Sequence, residues 1–342
     1  MITEHRLFFA DARRMDKVPA GSVHLTITSP PYPMIGMWDR LFCSMSPDVQ
    51  DALDSGDGRT AYELMHAALD DVWREVDRVT MPSGIVCINI GDATRAIAGA
   101  FRMYNNHARI ARFFLDAGYD ELPSVQWRKP SNKPNKFMGS GMLPPNAYVT
   151  LEHEHICIFR KGGNRAFSGE DVAARRQSAY FWEERNLWFS DLWHDLNGVQ
   201  QRFEGSRSRS AAFPFEIPYR LINMFSVRGD LVLDPFIGTG TTAFAAIVSG
   251  RNSVGYEIDA GIEPAIEARM SGLKESGNTL INERLARHEA FMKSRMRDGG
   301  SAGYRSETYG FPIVTAQETE IVIPTIREIK RVENKWVVGY DR

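Results

Sequence analysis

Asp230-Leu-Val-Leu-Asp234-Pro-Phe-Ile-Gly-Thr-Gly-Thr-Thr242 is the stretch from which the fold is read. A short apolar strand, 230–234, runs into a glycine loop, 235–240, and a helical run over 241–249 carries Phe244, Ile247 and Val248 inward. Arg251-Asn252 then turns the chain into a second strand, 253–257. This is a βαβ unit with its loop at the C-terminal end of the first strand. Gly238-Thr-Gly240-Thr-Thr-Ala243 fits the turn that lets a ligand approach the backbone between strand and helix. Glu257, closing the next strand, is placed to hydrogen-bond both hydroxyls of a ribose. These features alone would suit NAD equally. Asp234-Pro235-Phe236 changes the balance, because Phe236 can pack on an adenine and a carboxylate there can meet a cationic amino-acid group. An adenosine with an ammonium and no pyrophosphate fits better, and that cofactor is S-adenosylmethionine.

The second informative stretch is Thr28-Ser29-Pro30-Pro31-Tyr32-Pro33, which follows the strand-like run 22–28 with Val23, Leu25 and Ile27 alternating. Proline fixes φ and has no N–H to donate, so the sheet ladder stops here. Each residue before a proline is pushed out of the helical region. A stiff, extended turn results, presenting a hydroxyl, free carbonyls and an aromatic ring together. It suits a site that accepts hydrogen bonds from an amino group on a flat ring while Tyr32 covers the ring's face. A proline turn capped by a packed tyrosine would read the same way in isolation.

The chain has 342 residues, enough for one large α/β domain with insertions or two ordinary ones. Its 43% hydrophobic and 25% charged residues are those of a soluble globular protein. No apolar run approaches the roughly 18–20 residues that span a bilayer, and the first residues lack a signal pattern. Cys43, Cys87 and Cys157 form no disulfide or metal spacing, so a cytoplasmic, reduced location is expected. A net charge of −2 does not announce a nucleic-acid binder, so such a role needs a local basic surface.

In order, the sequence predicts a strand at 7–10, a strand at 22–28, a mobile loop with a short helix over 34–59, and a helix over 60–79. A strand at 85–90, a helix at 105–117 and strands at 122–128 and 154–160 follow. The segment 128–136 carries Arg128, Lys129, Lys133 and Lys136 with no acid, as a phosphate-binding arm or a solvated loop would. Residues 162–212 mix arginines, among them Arg202, Arg207 and Arg209, with aromatics. That mixture reads bases, or equally builds a small apolar cluster with a charged rim. A helix begins at 214, a solvated charged helix spans 263–297, 299–303 reads as a linker, and the tail suggests a small hairpin. Glu152-His-Glu-His155 resembles metal spacing, but strand alternation puts the histidines and glutamates on opposite faces, and no metal is assigned.

Thr-Ser-Pro-Pro-Tyr early and Asp-Pro-Phe-Ile-Gly-Thr-Gly-Thr-Thr late together resemble the beta class of amino-group DNA methyltransferases. The resemblance covers roughly residues 7–270. It implies a Rossmann-like, seven-stranded α/β sheet with one reversed strand and helices on both faces. It also implies a catalytic half at 1–162, a target-recognition insert at 163–211, a cofactor half at 212–298 and an extension at 299–342. By the resemblance, Ser29, Pro30, Pro31 and Tyr32 are catalytic. Asp11, Asp234, Phe236, Gly238, Thr239, Gly240, Thr241 and Glu257 are the cofactor positions. Double-stranded DNA is the implied partner, with no membrane; a cognate restriction endonuclease as genetic partner and a homodimer stay open. Serine first in the motif points to cytosine N4, whereas aspartate or asparagine points to adenine N6. An N6-adenine enzyme is the alternative, and an RNA or protein methyltransferase or an NAD-dependent dehydrogenase is more distant. Carbon-5 methylation needs a cysteine, usually after proline, and none of the three follows one.

Overall fold

The computed structural model describes residues 1–129, 138–197 and 213–341. Its centre is a ten-stranded sheet. From one edge the strands are Leu192–Trp193, Asp120–Arg128, His153–Arg160, Thr80–Ile90, Val23–Thr28, Leu231–Asp234, Asn252–Glu257, Ile2–Phe9, Lys335–Asp341 and Thr325–Val332. His153–Arg160 runs antiparallel to both neighbours, so it is the reversed strand among the seven from Asp120–Arg128 to Ile2–Phe9. Successive residues of the central strands feed two cores. Leu25, Ile27, Ile85 and Cys87 join Phe244 and Ile247 on one face. Val86, Ile88, Leu233 and Val254 meet Leu69, Val72 and Trp73 of the helix Gly58–Val79 on the other. That helix starts where the Asp57 carboxylate accepts from the backbone N–H groups of Arg59 and Thr60. Trp73 is fully buried, and each large apolar side chain placed so contributes roughly 1.5–3 kcal/mol.

Four expectations need correction. The seven strands are present, but further strands at both edges bring the sheet to ten. The tail is not a separate extension, because Lys335–Asp341 pairs antiparallel with Ile2–Phe9 and buries Trp336, Val338 and Tyr340 against the core. The loop over 34–59 folds into two short helices, Asp39–Met45 and Pro47–Asp54, with Phe42 and Val49 buried. The predicted helix 263–297 is two, Glu263–Ser271 and Leu273–Arg297, meeting at Gly272. Nor is it solvated all round: buried Arg284 binds both oxygens of Glu184 at 2.6 and 2.7 Å, and His288 stacks on Phe181 at 3.9 Å. A mid-helix arginine and histidine read as polar from sequence, but their partners lie about a hundred residues away in the insert. No helix among the described residues is long and apolar enough to cross a membrane.

Candidate active site

The strands Val23–Thr28 and Leu231–Asp234 are parallel neighbours, so the proline turn and the glycine loop leave the sheet at the same edge. A cavity of about 530 Å³ lies between them. Ser29, Pro30 and Pro31 form one wall, and Asp234, Phe236, Gly238, Thr239 and Thr241 form the facing one. Asp11 and Glu257, from the ends of two further strands, complete it, and Trp38 and Leu41 close it from the post-proline segment. The loop needs its glycines: Gly238 and Gly240 have φ of +52° and +88°, and a Cβ on Gly240 would sit 3.0 Å from the Phe244 ring.

The groups on this wall fit an adenosine carrying an ammonium. Thr241 lines the cavity, and its buried hydroxyl has no hydrogen-bond partner among the described residues, an orphan group of the kind that a further partner would satisfy. Glu257 is buried, its Oε1 accepting from the Asp259 N–H at 2.9 Å. Phe236 is braced edge-on against Trp73. Burial pushes the Asp11 carboxyl up, but three donors of Arg13 outweigh it and leave it below the usual carboxylate range. Arg269 fixes the loop from behind by donating to the Thr239 carbonyl and hydroxyl at 2.8 and 2.9 Å.

Asp234 is used in a way its sequence position did not suggest. Its carboxylate accepts from Thr28 Oγ1 and Thr242 Oγ1, both at 2.6 Å, and from the Phe236 N–H at 3.0 Å. It therefore clamps the strand leading into the proline turn to the helix leaving the glycine loop. Burial pushes its pKa up to about 6, against the lowering effect of these three donors. A carboxyl raised in the folded state stabilises the fold below its unfolded value near 4, and that contribution is lost as pH rises through about 6. The stability of the native protein relative to Asp234→Asn should then fall by about 2 kcal/mol between pH 4 and 7 in denaturant titrations. A constant difference across that range would show that Asp234 is not so perturbed.

The proline turn is held by a buried polar cluster. Tyr32 Oη donates to Glu154 Oε2 at 2.9 Å and accepts from Asn89 Nδ2 at 2.9 Å. Ser29 Oγ lies 3.1 Å from the same phenol oxygen. Asn89 also donates to Glu154 at 2.7 Å, and Lys129 Nζ pairs with the other Glu154 oxygen at 2.8 Å. Burial, with the Glu154 charge beside it, raises the Tyr32 phenol well above its ordinary value, so it stays a neutral donor. Because its one hydrogen goes to Glu154, Ser29 must be the donor in the Ser29–Tyr32 pair. The serine oxygen thereby keeps its capacity to accept, on a residue that lines the cavity. Asn106 ties the turn down, donating to the carbonyls of Pro33 and Gly91 at 3.1 and 2.9 Å. A Cβ on Gly91 would lie 3.0 Å from Tyr32 Cε2 and 3.4 Å from Glu154 Cγ. Gly91→Ala should thus push the ring and lower the methyl-transfer rate about tenfold with cofactor affinity unchanged, since small misplacements cost rate steeply; an unaffected rate would show that the ring has room to give.

Sequence reasoning missed Asn89 and Glu154 as parts of this site and assigned Lys129 to phosphates. The available signal was a lone glutamate at the head of an apolar strand, with alternation setting it opposite the histidines. Those histidines do face elsewhere: His155 stacks on His107 at 3.9 Å and 17°, with Asp92 beside both. Near-parallel rings aim their lone pairs alongside one another rather than at one point, so no ion is assigned to this trio, the proximity of its ligand atoms notwithstanding. Arg128 is exposed and reaches Glu152 at 3.4 Å. Lys133, Lys136, Arg202, Arg207 and Arg209 lie outside the described residues. Within the described part of the insert, Arg165 pairs with Asp230 at 2.7 Å and Arg176 with Glu320 at 3.1 Å, while Phe181, Trp188 and Trp193 are buried. Those aromatics build core rather than stack on bases. Burial pushes the Cys157 thiol up to about 12 and that of Cys87 higher still, so neither is a ready nucleophile.

Two loops converging at the C-terminal edge of a Rossmann-like sheet, one shaped for a nucleoside and one for an amino group, define an amino-group methyltransferase site. Residues 23–268 match the DNA methylase model of the N6/N4 type, and the chain belongs to that family. It is 51% identical over 338 residues to the type II methyltransferase M.MthZI of Methanothermobacter thermautotrophicus, covering 98% of this chain and 94% of that protein. It is also 51% identical to the type II methyltransferase M.MjaI of Methanocaldococcus jannaschii, over 80% of this chain and 93% of that one. A putative DNA modification methylase of Thermus thermophilus, solved in complex with S-adenosyl-L-methionine, superposes with a TM-score of 0.61 at 33% identity, covering 78% of this chain and 92% of its own. The cytosine-N4-specific PvuII DNA methyltransferase shares the fold, with a TM-score of 0.50 at 18% identity over 82% of this chain and 93% of its own.

Proposed function

We propose that this protein is a site-specific DNA methyltransferase that methylates the exocyclic N4 amino group of cytosine in double-stranded DNA, using S-adenosylmethionine. The observation that carries the reading is the direction of the Ser29–Tyr32 hydrogen bond. With the phenol hydrogen committed to Glu154, Ser29 Oγ keeps its capacity to accept, and Ser29 and Pro30 both line the cavity. An amino group offers two N–H donors, and Ser29 Oγ and the Pro30 carbonyl are matched to them. Serine rather than aspartate or asparagine at the head of the motif favours cytosine N4 over adenine N6.

The cofactor, when bound, supplies a methyl group made electrophilic by a sulfonium. Glu257 would take the ribose hydroxyls, Phe236 the adenine face, and the acidic wall with Asp11 the cationic end. The amino lone pair of cytosine is delocalised into the ring and is a poor nucleophile. Hydrogen bonds to Ser29 and Pro30 would hold the nitrogen with its lone pair turned out of the ring plane. Most of the acceleration would come from this positioning and from dipoles fixed in advance. The base must leave the duplex to reach the cavity, at a cost of a few kcal/mol that stacking on Tyr32 offsets. Incubation with methyl-labelled S-adenosylmethionine should move label into duplex DNA. Label appearing in RNA or protein instead, or binding of NAD without binding of S-adenosylmethionine, would contradict the assignment.

A further inference from the structure

The Ser29–Tyr32–Glu154 chain does more than orient a serine. Three groups lie in line from the cavity wall into the protein, with heavy-atom separations of 3.1 and 2.9 Å. Each hydroxyl donates to the next oxygen, and the chain ends on a carboxylate that is 8% exposed. A buried carboxylate is costly unless it is paired and hydrogen-bonded, and this one keeps Lys129, Asn89 and Tyr32 around it. Holding Tyr32 in place would need only a neutral acceptor. A charged one at the end of a directed hydroxyl chain is the arrangement of a proton exit.

We propose that Glu154 is the terminal acceptor of the amino proton released in methyl transfer, reached through the hydroxyls of Ser29 and Tyr32. This rests on the reading of Ser29 as the acceptor of the target amino group. As the nitrogen lone pair becomes the new N–C bond, the nitrogen turns cationic and its remaining hydrogens become strongly acidic. One N–H bond breaks, its electron pair returning to nitrogen and its proton going to Ser29 Oγ. The hydrogen already on Ser29 passes to Tyr32 Oη, and the hydrogen on Tyr32 passes to Glu154 Oε2. The serine and tyrosine end neutral, the product amine is neutral, and Glu154 becomes a carboxylic acid. Its proton then leaves along the side of Lys129, whose side chain is one-third exposed. Among the described residues, Tyr32 and Lys129 are the titratable groups bonded to Glu154. His153 and His155 project from the other face of the strand, where His155 meets Asp92.

The test compares Glu154→Gln, Tyr32→Phe and the double variant in single-turnover methyl transfer to duplex DNA from pH 6 to 9. Tyr32→Phe keeps the ring and the Glu154–Lys129 pair, so it serves even if Glu154→Gln destabilises the protein. Calorimetric binding of S-adenosylmethionine should stay within about threefold for both. At pH 7 each single variant should transfer methyl about 10²-fold more slowly, the scale of losing a positioned base. The logarithm of its rate should climb with pH, as hydroxide replaces the missing acceptor, where the native enzyme is flat. The double variant should be no slower than the slower single one, because both cut one chain. Native rates, a pH-independent loss, or losses that multiply in the double variant would overturn the relay. Ser29→Ala separates the two claims: if it alone is impaired, the relay fails and the site assignment stands. If it too is unimpaired, the assignment itself fails.

Discussion

Ser29→Ala is expected to lower single-turnover methyl transfer by about 10³-fold while leaving the dissociation constant for S-adenosylmethionine within about threefold of native. The magnitude follows from removing one preorganised polar contact at the reacting atom, typically 10²–10³-fold, here compounded by breaking the path to Glu154. The cofactor half should not respond, because Asp234, not Ser29, links the proline turn to the glycine loop. Alanine fits the turn without strain, and Tyr32 keeps its bonds to Asn89 and Glu154. A loss shared equally between binding and turnover would point to collapse of the turn instead. Retention of the full rate would remove the serine from the chemistry.

Glu257→Ala should produce the opposite pattern. Hydrogen bonds to a carboxylate contribute about 1.5–3 kcal/mol each, and two ribose hydroxyls would be lost together. The dissociation constant for S-adenosylmethionine should rise about 10²-fold or more by calorimetry. At saturating cofactor the methyl-transfer rate should fall by less than about threefold, since the ribose lies away from the reacting centre. Glu257 ends its strand at the cavity, and its Oε1 accepts from the Asp259 N–H. Unchanged affinity would mean that the nucleoside lies elsewhere.

What the sequence disclosed was whatever depends on local pattern. The βαβ unit around Gly238 and Gly240 is legible because strand, glycine turn, helix and closing acid sit within thirty residues and each has its own signature. Pro30 and Pro31 likewise announce a ladder stop wherever they occur. Contacts across the chain were not legible. Nothing near Glu154 says that it lies under Tyr32, and Asn89 reads as one polar residue in an apolar strand. Arg284 and His288 look like a solvated helix face until Glu184 and Phe181 are seen against them. The tail hairpin was anticipated, but not its pairing with the first strand, because an edge strand carries no mark of which neighbour will cover it. Asp234 shows the limit most clearly. Its place before the glycine loop suggested a cofactor contact, and its hydroxyl partners put it between the two halves of the site.

The most direct test of the account is the chemical identity of the modified base. Duplex DNA treated with the protein and S-adenosylmethionine is digested to nucleosides and resolved by chromatography and mass. A nucleoside matching N4-methyl-2′-deoxycytidine is the predicted product, absent when Ser29→Ala replaces the native protein. N6-methyl-2′-deoxyadenosine in its place would contradict the assignment of Ser29 to cytosine, and 5-methyl-2′-deoxycytidine or unmodified DNA would contradict the amino-group mechanism altogether.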